Sequence, residues 1–256
     1  DMKGFFLPRS IAIFGASSDL SSISGKPLRY LQEHGYKGNI YPINPKYQEI
    51  GGLKCYPDLL SLPETPDLLL VAVSYKRIFM VLDQCIEKAV KNIIVFSSGF
   101  AEVGGDGVEL QRKVVEICEE HGIKLLGPNC QGIVSPHDKV TAAFSGSLEN
   151  KPLLAGGAGF VTQSGALGYS IFNLAQEAGV GFSSVVSTGN EAALNTLDFM
   201  EYLVEDPATK SLIAYLESVK DGEKFSDIAD RSLVLGKPLI TLKVGRSEIG
   251  QKASAS

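Results

Sequence analysis

Short apolar runs, each closed by a glycine- or serine-rich turn and followed by a helix-length amphipathic stretch, recur along this chain. SIAIF at Ser10–Phe14, NIYPI at Asn39–Ile43, DLLLVAV at Asp67–Val73, NIIVF at Asn92–Phe96 and the run Ile123–Leu126 alternate with helical patterns at Pro27–Glu33, Lys76–Val90 and Gly107–His121. Runs this short, apolar without interruption, fit strands buried on both faces. Strand–helix–strand alternation then implies right-handed βαβ units around a parallel sheet. Pro42 puts the second strand at an edge or makes it irregular, because proline cannot donate to a ladder.

The pattern breaks between Gly127 and Gly157, where Pro128, Pro136, Pro152 and several glycines replace helical periodicity. A domain junction is expected there, near Asn150. Alternation restarts with strands at Gly159–Thr162, Ser183–Ser187, Leu212–Leu216 and Leu239–Val244 and helices at Ala166–Ala178, Thr196–Glu205 and Lys224–Leu235. The expected fold class is α/β: a Rossmann-like domain over residues 1–150, then a smaller flavodoxin-like parallel-sheet domain over residues 151–256.

Composition narrows the function classes. With 44% hydrophobic and 21% charged residues among 256, the chain is ordinary globular protein, and each half is long enough to bury its own core. A net charge of −5 argues against a nucleic-acid partner while leaving room for a local basic site. Cys55, Cys85, Cys118 and Cys130 form no CxxC pair and have no histidine at metal spacing, which reads as free thiols in a reducing compartment and no metal site. The residues Asp1 to Phe6 lack a signal-peptide pattern and no apolar run is long enough to span a bilayer, so the expectation is a cytoplasmic protein with no membrane contact.

Open parallel sheets bind ligands beyond the C-terminal ends of their strands. Gly15-Ala16-Ser17-Ser18-Asp19 lies there after the first strand, with small residues that let backbone N–H groups approach an anion. It is a poor dinucleotide fingerprint, since Ser17 and Leu20 stand where glycines belong. The second strand ends in Asn44-Pro45-Lys46, where an NAD site needs an acid for the ribose hydroxyls. Lys46 suits a phosphorylated ribose instead, which leaves CoA and NADP open, with a solvated lysine as the plain alternative. Ser97-Ser98-Gly99-Phe100 and Gly127-Pro128-Asn129-Cys130 follow the fourth and fifth strands at the same edge. No His or Lys flanks Cys130 to depress its pKa, so closeness to a ligand thiol is a better reading than nucleophile.

The second half offers another candidate anion site, with a plain helix N-cap as the alternative. Thr162-Gln163-Ser164-Gly165 joins a strand to a helix, Ser164 in position to cap it and Gly165 to open its N-terminus. Thr162 stands where a nucleophile elbow has glycine. Ser187-Thr188-Gly189-Asn190 faces the same crevice, and Glu217 ends the following strand, as a site carboxylate or equally a surface acid. His34 and His121 precede glycines at helix ends and His137 lies in the junction, all three reading as structural.

In order, GASS, INPK, SSGFAE, GPNCQG, TQSGALGY, STGNE, YLE and the terminal GRSEIGQKASAS resemble the NDP-forming acyl-CoA synthetases of the ADP-forming acetyl-CoA synthetase type, and the α subunit of succinyl-CoA synthetase. The resemblance covers essentially the whole chain. It implies a CoA-binding domain and a ligase domain. It puts Gly15, Ser17, Ser18, Asp19 and Lys46 on CoA, with Phe96, Ser97, Ser98, Asn129 and Cys130 completing that site; Ser98 departs from the acid of succinyl-CoA synthetase. Ser164 and Gly165 become the receiving site for a phosphohistidine, Glu217 the acid that steadies it, and Tyr169 a substrate contact. The histidine itself is expected directly after Ser256. An ATP-grasp module elsewhere in the polypeptide or in another subunit would bring ATP or ADP and Mg, in an oligomer. The implied reaction converts acyl-CoA, ADP and phosphate to carboxylic acid, CoA and ATP through an acyl phosphate and the phosphohistidine. A ligand-sensing region of an acyl-CoA-dependent protein lysine acetyltransferase is the alternative, and an NADP-binding oxidoreductase, lacking a Tyr-x-x-x-Lys pair, ranks below it.

Overall fold

The computed structural model describes residues 2–150 and 152–245. A short helix α1 (Lys3–Phe6) leads into β1 (Ser10–Phe14), whose five residues are all buried. Then come α2 (Lys26–Glu33), β2 (Asn39–Ile43), the small hairpin β3 (Glu49–Ile50) and β4 (Leu53–Lys54), β5 (Leu68–Val71), α3 (Ile78–Glu87), β6 (Asn92–Val95), α4 (Asp106–Glu120) and β7 (Lys124–Leu126). Five of these strands form one parallel sheet in the order β2-β1-β5-β6-β7. β2 is its edge, where Pro42 costs no central ladder bond. The winding direction reverses between β1 and β5, the place where such sheets open a crevice.

The second sheet is built from β8 (Gly132–Ser135), β9 (Val140–Ala143), β10 (Ala155–Thr162), β11 (Phe182–Ser187), β12 (Ser211–Leu216) and β13 (Leu239–Lys243). Helices α5 (Gly165–Glu177), α6 (Thr196–Glu205) and α7 (Gly222–Val234) cover it. Its order is β13-β12-β10-β11-β8-β9. The four strands from β10 onward are parallel, as the alternation requires, and reverse direction between β10 and β12. β8 and β9 run antiparallel on the β11 side, so this sheet is mixed rather than purely parallel. The hairpin turns at Lys139, which adopts a left-handed φ of 58°. Residues 132–143, expected to close the first unit, are thus hydrogen-bonded into the second sheet, and we propose that the second unit begins at Gly132 rather than near Asn150.

The halves share an apolar core running from Ile13 and Leu70 through Ile133 and Val161 to Leu203. Phe6 of α1 stacks on Tyr202 of α6 with ring centroids 4.4 Å apart. Tyr30 of α2 is buried among Val134, Ala143 and Leu148, and its neighbour Arg29 pairs with Glu149 at 2.9 Å. Burial of large aromatic area on both sides of the joint holds the two strand-end edges in a fixed relation.

Candidate active site at the joint of the two sheets

Gly15 leaves β1 at φ 89°, and a Cβ there would lie 2.4 Å from Val73 Cγ1 and 3.0 Å from the Ala72 carbonyl. Both dihedral and space require glycine. Its N–H and that of Ala16 do not point outward for an anion, because both donate to the Ile43 carbonyl at 2.9 and 3.2 Å. Asp19 folds inward on its own loop, accepting from the Ser21 N–H and hydroxyl at 3.0 and 2.6 Å, which lowers its pKa. The Asn44 amide donates to the Ala16 carbonyl at 2.8 Å, and Asn44 Oδ1 accepts from the Lys46 N–H at 3.0 Å. That clip sets the Lys46 turn beside the Ser17–Asp19 loop, with Ser18 and Lys46 both exposed. A phosphate would meet side chains there more than loop amides.

Farther along the same edge, Ser97 Oγ is buried with no hydrogen-bond partner among the described residues, a polar group in want of a ligand. Ser98 is exposed. The Ser97 carbonyl accepts from the Asn129 N–H at 3.0 Å, linking the loops after β6 and β7. Cys130 is 2% exposed, its thiol directed at the Val95 carbonyl 3.5 Å away. Burial pushes its pKa up to about 12. A thiol in this state is no nucleophile near neutral pH. Cys55, Cys85 and Cys118 are buried too. Native protein is therefore expected to react with an aromatic disulfide reagent only on unfolding, and a rapid burst of one thiol equivalent, followed by absorbance, would contradict this placement of Cys130.

Loops from both sheets enclose one cavity of about 570 Å³. The first half contributes Phe96, Glu102, Asn129 and Cys130, the second Gln163, Ser164, Gly165, Asn190, Glu191 and Glu217. Six residues singled out from sequence thus meet there: Phe96, Asn129, Cys130, Ser164, Gly165 and Glu217. Gly15, Ser17, Ser18, Asp19, Lys46, Ser97 and Ser98 do not line it, although they follow strands of the same sheet edge. Tyr169 does not line it either. It is 1% exposed, its ring packs on Phe172 and its hydroxyl donates to the Gly132 carbonyl at 3.3 Å, so it serves the core. His34 and His137 bond to the Leu148 and Gly156 carbonyls and are not on the wall.

Ser164 occupies the N-cap position of α5, but its side chain makes no capping hydrogen bond, contrary to the expected role. The hydroxyl stays available on the cavity wall beside the helix N-terminus. Gly165 opens that helix close against Gln131, whose Cγ would lie 3.0 Å from a Cβ. Exposed amides at the start of a 13-residue helix, with the dipole behind them, favour an anion.

Glu217 follows β12 at the reversal point. Burial raises its pKa, the neighbouring Glu191 raises it further, and Lys243 opposes both. Glu102 reaches across from the first half: burial works against its charge, yet hydrogen bonds from Asn190 and the N–H groups of Gly99 and Phe100 hold its pKa below the usual value. Asn190 also meets Asn129 at 3.2 Å and Gln111 at 3.0 Å, bridging the units. Sequence reasoning passed over Gln163, Glu191 and Glu102, which sit inside the runs TQSG, STGNE and SSGFAE without any spacing that marks them. The tail residues 246–256, part of the terminal run noted above, lie outside the described residues.

Residues 9–136 match the family model of the CoA binding domain. The chain belongs to that family. Behind this CoA-binding domain, residues 155–256 match the succinyl-CoA ligase like flavodoxin domain. Acetate–CoA ligase [ADP-forming] I of Archaeoglobus fulgidus is 38% identical over 255 residues, covering 100% of this chain and 36% of that protein. The α subunit of acetate–CoA ligase [ADP-forming] II of Pyrococcus furiosus is 36% identical over 252 residues, 98% of this chain and 54% of that one. The dinucleotide forming acetyl-coenzyme A synthetase 1 of Ca. Korarchaeum cryptofilum, solved in complex with phosphate and ADP, superimposes with a TM-score of 0.92 at 38% identity, covering 100% of this chain and 54% of that one. The chain therefore spans from about a third to just over half of these relatives. Among the described residues no helix is long and apolar enough to cross a membrane, and no group of His, Cys, Asp or Glu could hold a metal ion.

Proposed function

We propose that this chain is the CoA-binding and ligase portion of an acid–CoA ligase (NDP-forming), interconverting acyl-CoA, ADP and phosphate with carboxylic acid, CoA and ATP. The observation that carries the reading is the shared cavity, which sets the loops after β6 and β7 of the CoA-binding domain against the α5 N-terminus and Glu217. Along the first sheet edge, Lys46 is four strand spacings from Asn129, roughly 19 Å at about 4.8 Å each. An extended CoA fits that run, its ribose phosphate at Lys46 and its thiol end at the cavity. Ser164 and the amides following it hold the phosphoryl group by preorganised donors. Glu217 faces that group and holds or releases the proton of the histidine that carries it. Asn190 and Glu102 keep the two walls in register.

ATP or ADP and Mg are assigned to an ATP-grasp module in the rest of the protein or in another subunit, a division that the name of the Pyrococcus α subunit supports. The assembly would be an oligomer acting in the cytoplasm. Tested as the full-length enzyme with a panel of carboxylic acids, ATP-dependent acyl-CoA formation is expected. Gly165→Val is expected to lower turnover about a hundredfold by covering the helix N-terminus, while the heat of CoA binding is unchanged. Wild-type enzyme that forms no acyl-CoA with any acid, or a Gly165→Val variant with full turnover, would sink the reading.

A further inference from the structure

Glu191 is buried in the cavity wall, and both of its carboxylate oxygens accept hydrogen bonds. It is 5% exposed and has a left-handed φ of 53°, a conformation that strains any residue with a Cβ. One carboxylate oxygen accepts from the Thr188 hydroxyl at 3.0 Å, from the Thr196 N–H at 2.7 Å and from the Thr196 hydroxyl. The other accepts from the Gln163 amide at 2.9 Å and lies 4.0 Å from Lys220 Nζ. The oxygen of that same Gln163 amide accepts the backbone N–H of Glu217 and, at 2.9 Å, that of Ser218. The Gln163 amide is thus fixed in one orientation: its NH₂ end can face only an acceptor, its oxygen only donors.

We propose that Glu191 is a positioning residue for Glu217, acting through the Gln163 amide and through its own charge. The proposal rests on the role given to Glu217 above. Position 191 needs acceptors at both ends of its side-chain head group. A glutamine there has one acceptor end and one donor end. Either the Thr196 N–H or the Gln163 NH₂ would then face another N–H, so the isosteric amide breaks the relay.

The charge acts on the same target. Glu217 is faced by Glu191 from the loop after β11, by Lys243 from β13, by Tyr215 and Lys220 from its own strand and loop, and by Glu102 across the cavity. Burial is the main cause of its raised pKa and Glu191 the second, so removing the Glu191 charge lowers it. In a step that needs Glu217 ionised, the acid limb of the pH profile then moves to lower pH.

The test compares kcat and KM against pH for the full-length enzyme and its Glu191→Gln and Gln163→Met variants. Glu191→Gln is expected to lower plateau kcat about tenfold, shift the acid limb downward and leave KM for CoA unchanged. Gln163→Met, which keeps the Glu191 charge, is expected to lower kcat with the limb in place, and decides the matter if Glu191→Gln does not fold. Unchanged kcat in either variant, or a loss seen only in KM, overturns the proposal. If wild-type enzyme makes no acyl-CoA, the ligase reading fails instead, and carbon-13 NMR titration of the Glu217 carboxyl in this chain still decides the coupling. A Glu217 pKa that is the same with Gln at 191 refutes it.

Discussion

Glu217→Gln is expected to cost the full-length enzyme about a hundredfold or more in acyl-CoA formation, while leaving the protein at least as stable as before at neutral pH. The two effects share one cause. The folded protein holds the Glu217 proton more tightly than the unfolded chain, because burial and Glu191 disfavour its charge. From its ordinary pKa up to the folded value, the native state binds more protons at this group than the unfolded state does. Its contribution to stability therefore falls as pH rises through that window, and the deficit persists above it. A neutral glutamine carries no such deficit. Urea unfolding should show the variant gaining on wild type from acidic to mildly alkaline pH. A variant that is less stable at pH 8 than at pH 4, relative to wild type, would show that the carboxylate is satisfied by its surroundings and not held against a burial penalty.

Gly189→Ala is expected to be the most damaging single-atom change at the joint, lowering stability by about 3 kcal/mol. Gly189 has a φ of 62°, and a Cβ would lie 2.4 Å from the Pro128 carbonyl oxygen and 2.5 Å from that of Asn129. Both are backbone atoms of the opposing unit and cannot rotate away. Relief requires the loop after β11 to lift off the loop after β7. That movement would break the bonds from the Asn190 N–H to the Pro128 carbonyl and from Ala192 to Gly127, at 3.0 Å each. Gly104→Ala is the control, since Gly104 has a φ of 71° but nothing within 4 Å of its Cβ position. It should cost about 1 kcal/mol, from dihedral strain alone. For a chain of this size the difference amounts to roughly 4–8 °C in Tm, and equal Tm values for the two variants would show that the joint tolerates separation.

Much of the fold was legible because the elements are locally consistent. The helix expected at Thr196–Glu205 has those bounds in the structure, where Asn195 and Asp198 form a reciprocal capping box. The parallel strands were readable as continuous apolar runs, and Pro42 marked an edge strand. β8 and β9 escaped because GIVS and VTAA are four residues each and flank Pro136, and because their hairpin joins the sheet only through β8 against β11, far downstream in the sequence. No local periodicity carries that information. The site was legible in its loops but not in its wiring. Glycines and the Lys46 turn declare themselves by position after a strand. The amides of Gly15 and Ala16, by contrast, sit in a loop that suits an anion by sequence yet bond to Ile43, and Tyr169 turns inward to the core. Glu191 and Gln163 gain their meaning only once β11 and β12 stand on either side of β10.

In the proposed binding mode, the first sheet edge takes CoA through the ribose phosphate at Lys46 and delivers its thiol end to the shared cavity. Calorimetric titration of CoA and of dephospho-CoA into the wild-type chain and its Lys46→Ala variant tests this mode. CoA should bind wild type about tenfold more tightly than dephospho-CoA, as a charge-assisted contact of that kind implies, and the preference should vanish in Lys46→Ala. Equal affinity of wild type for both ligands, or no heat with CoA at all, would rule out CoA binding through its ribose phosphate at Lys46.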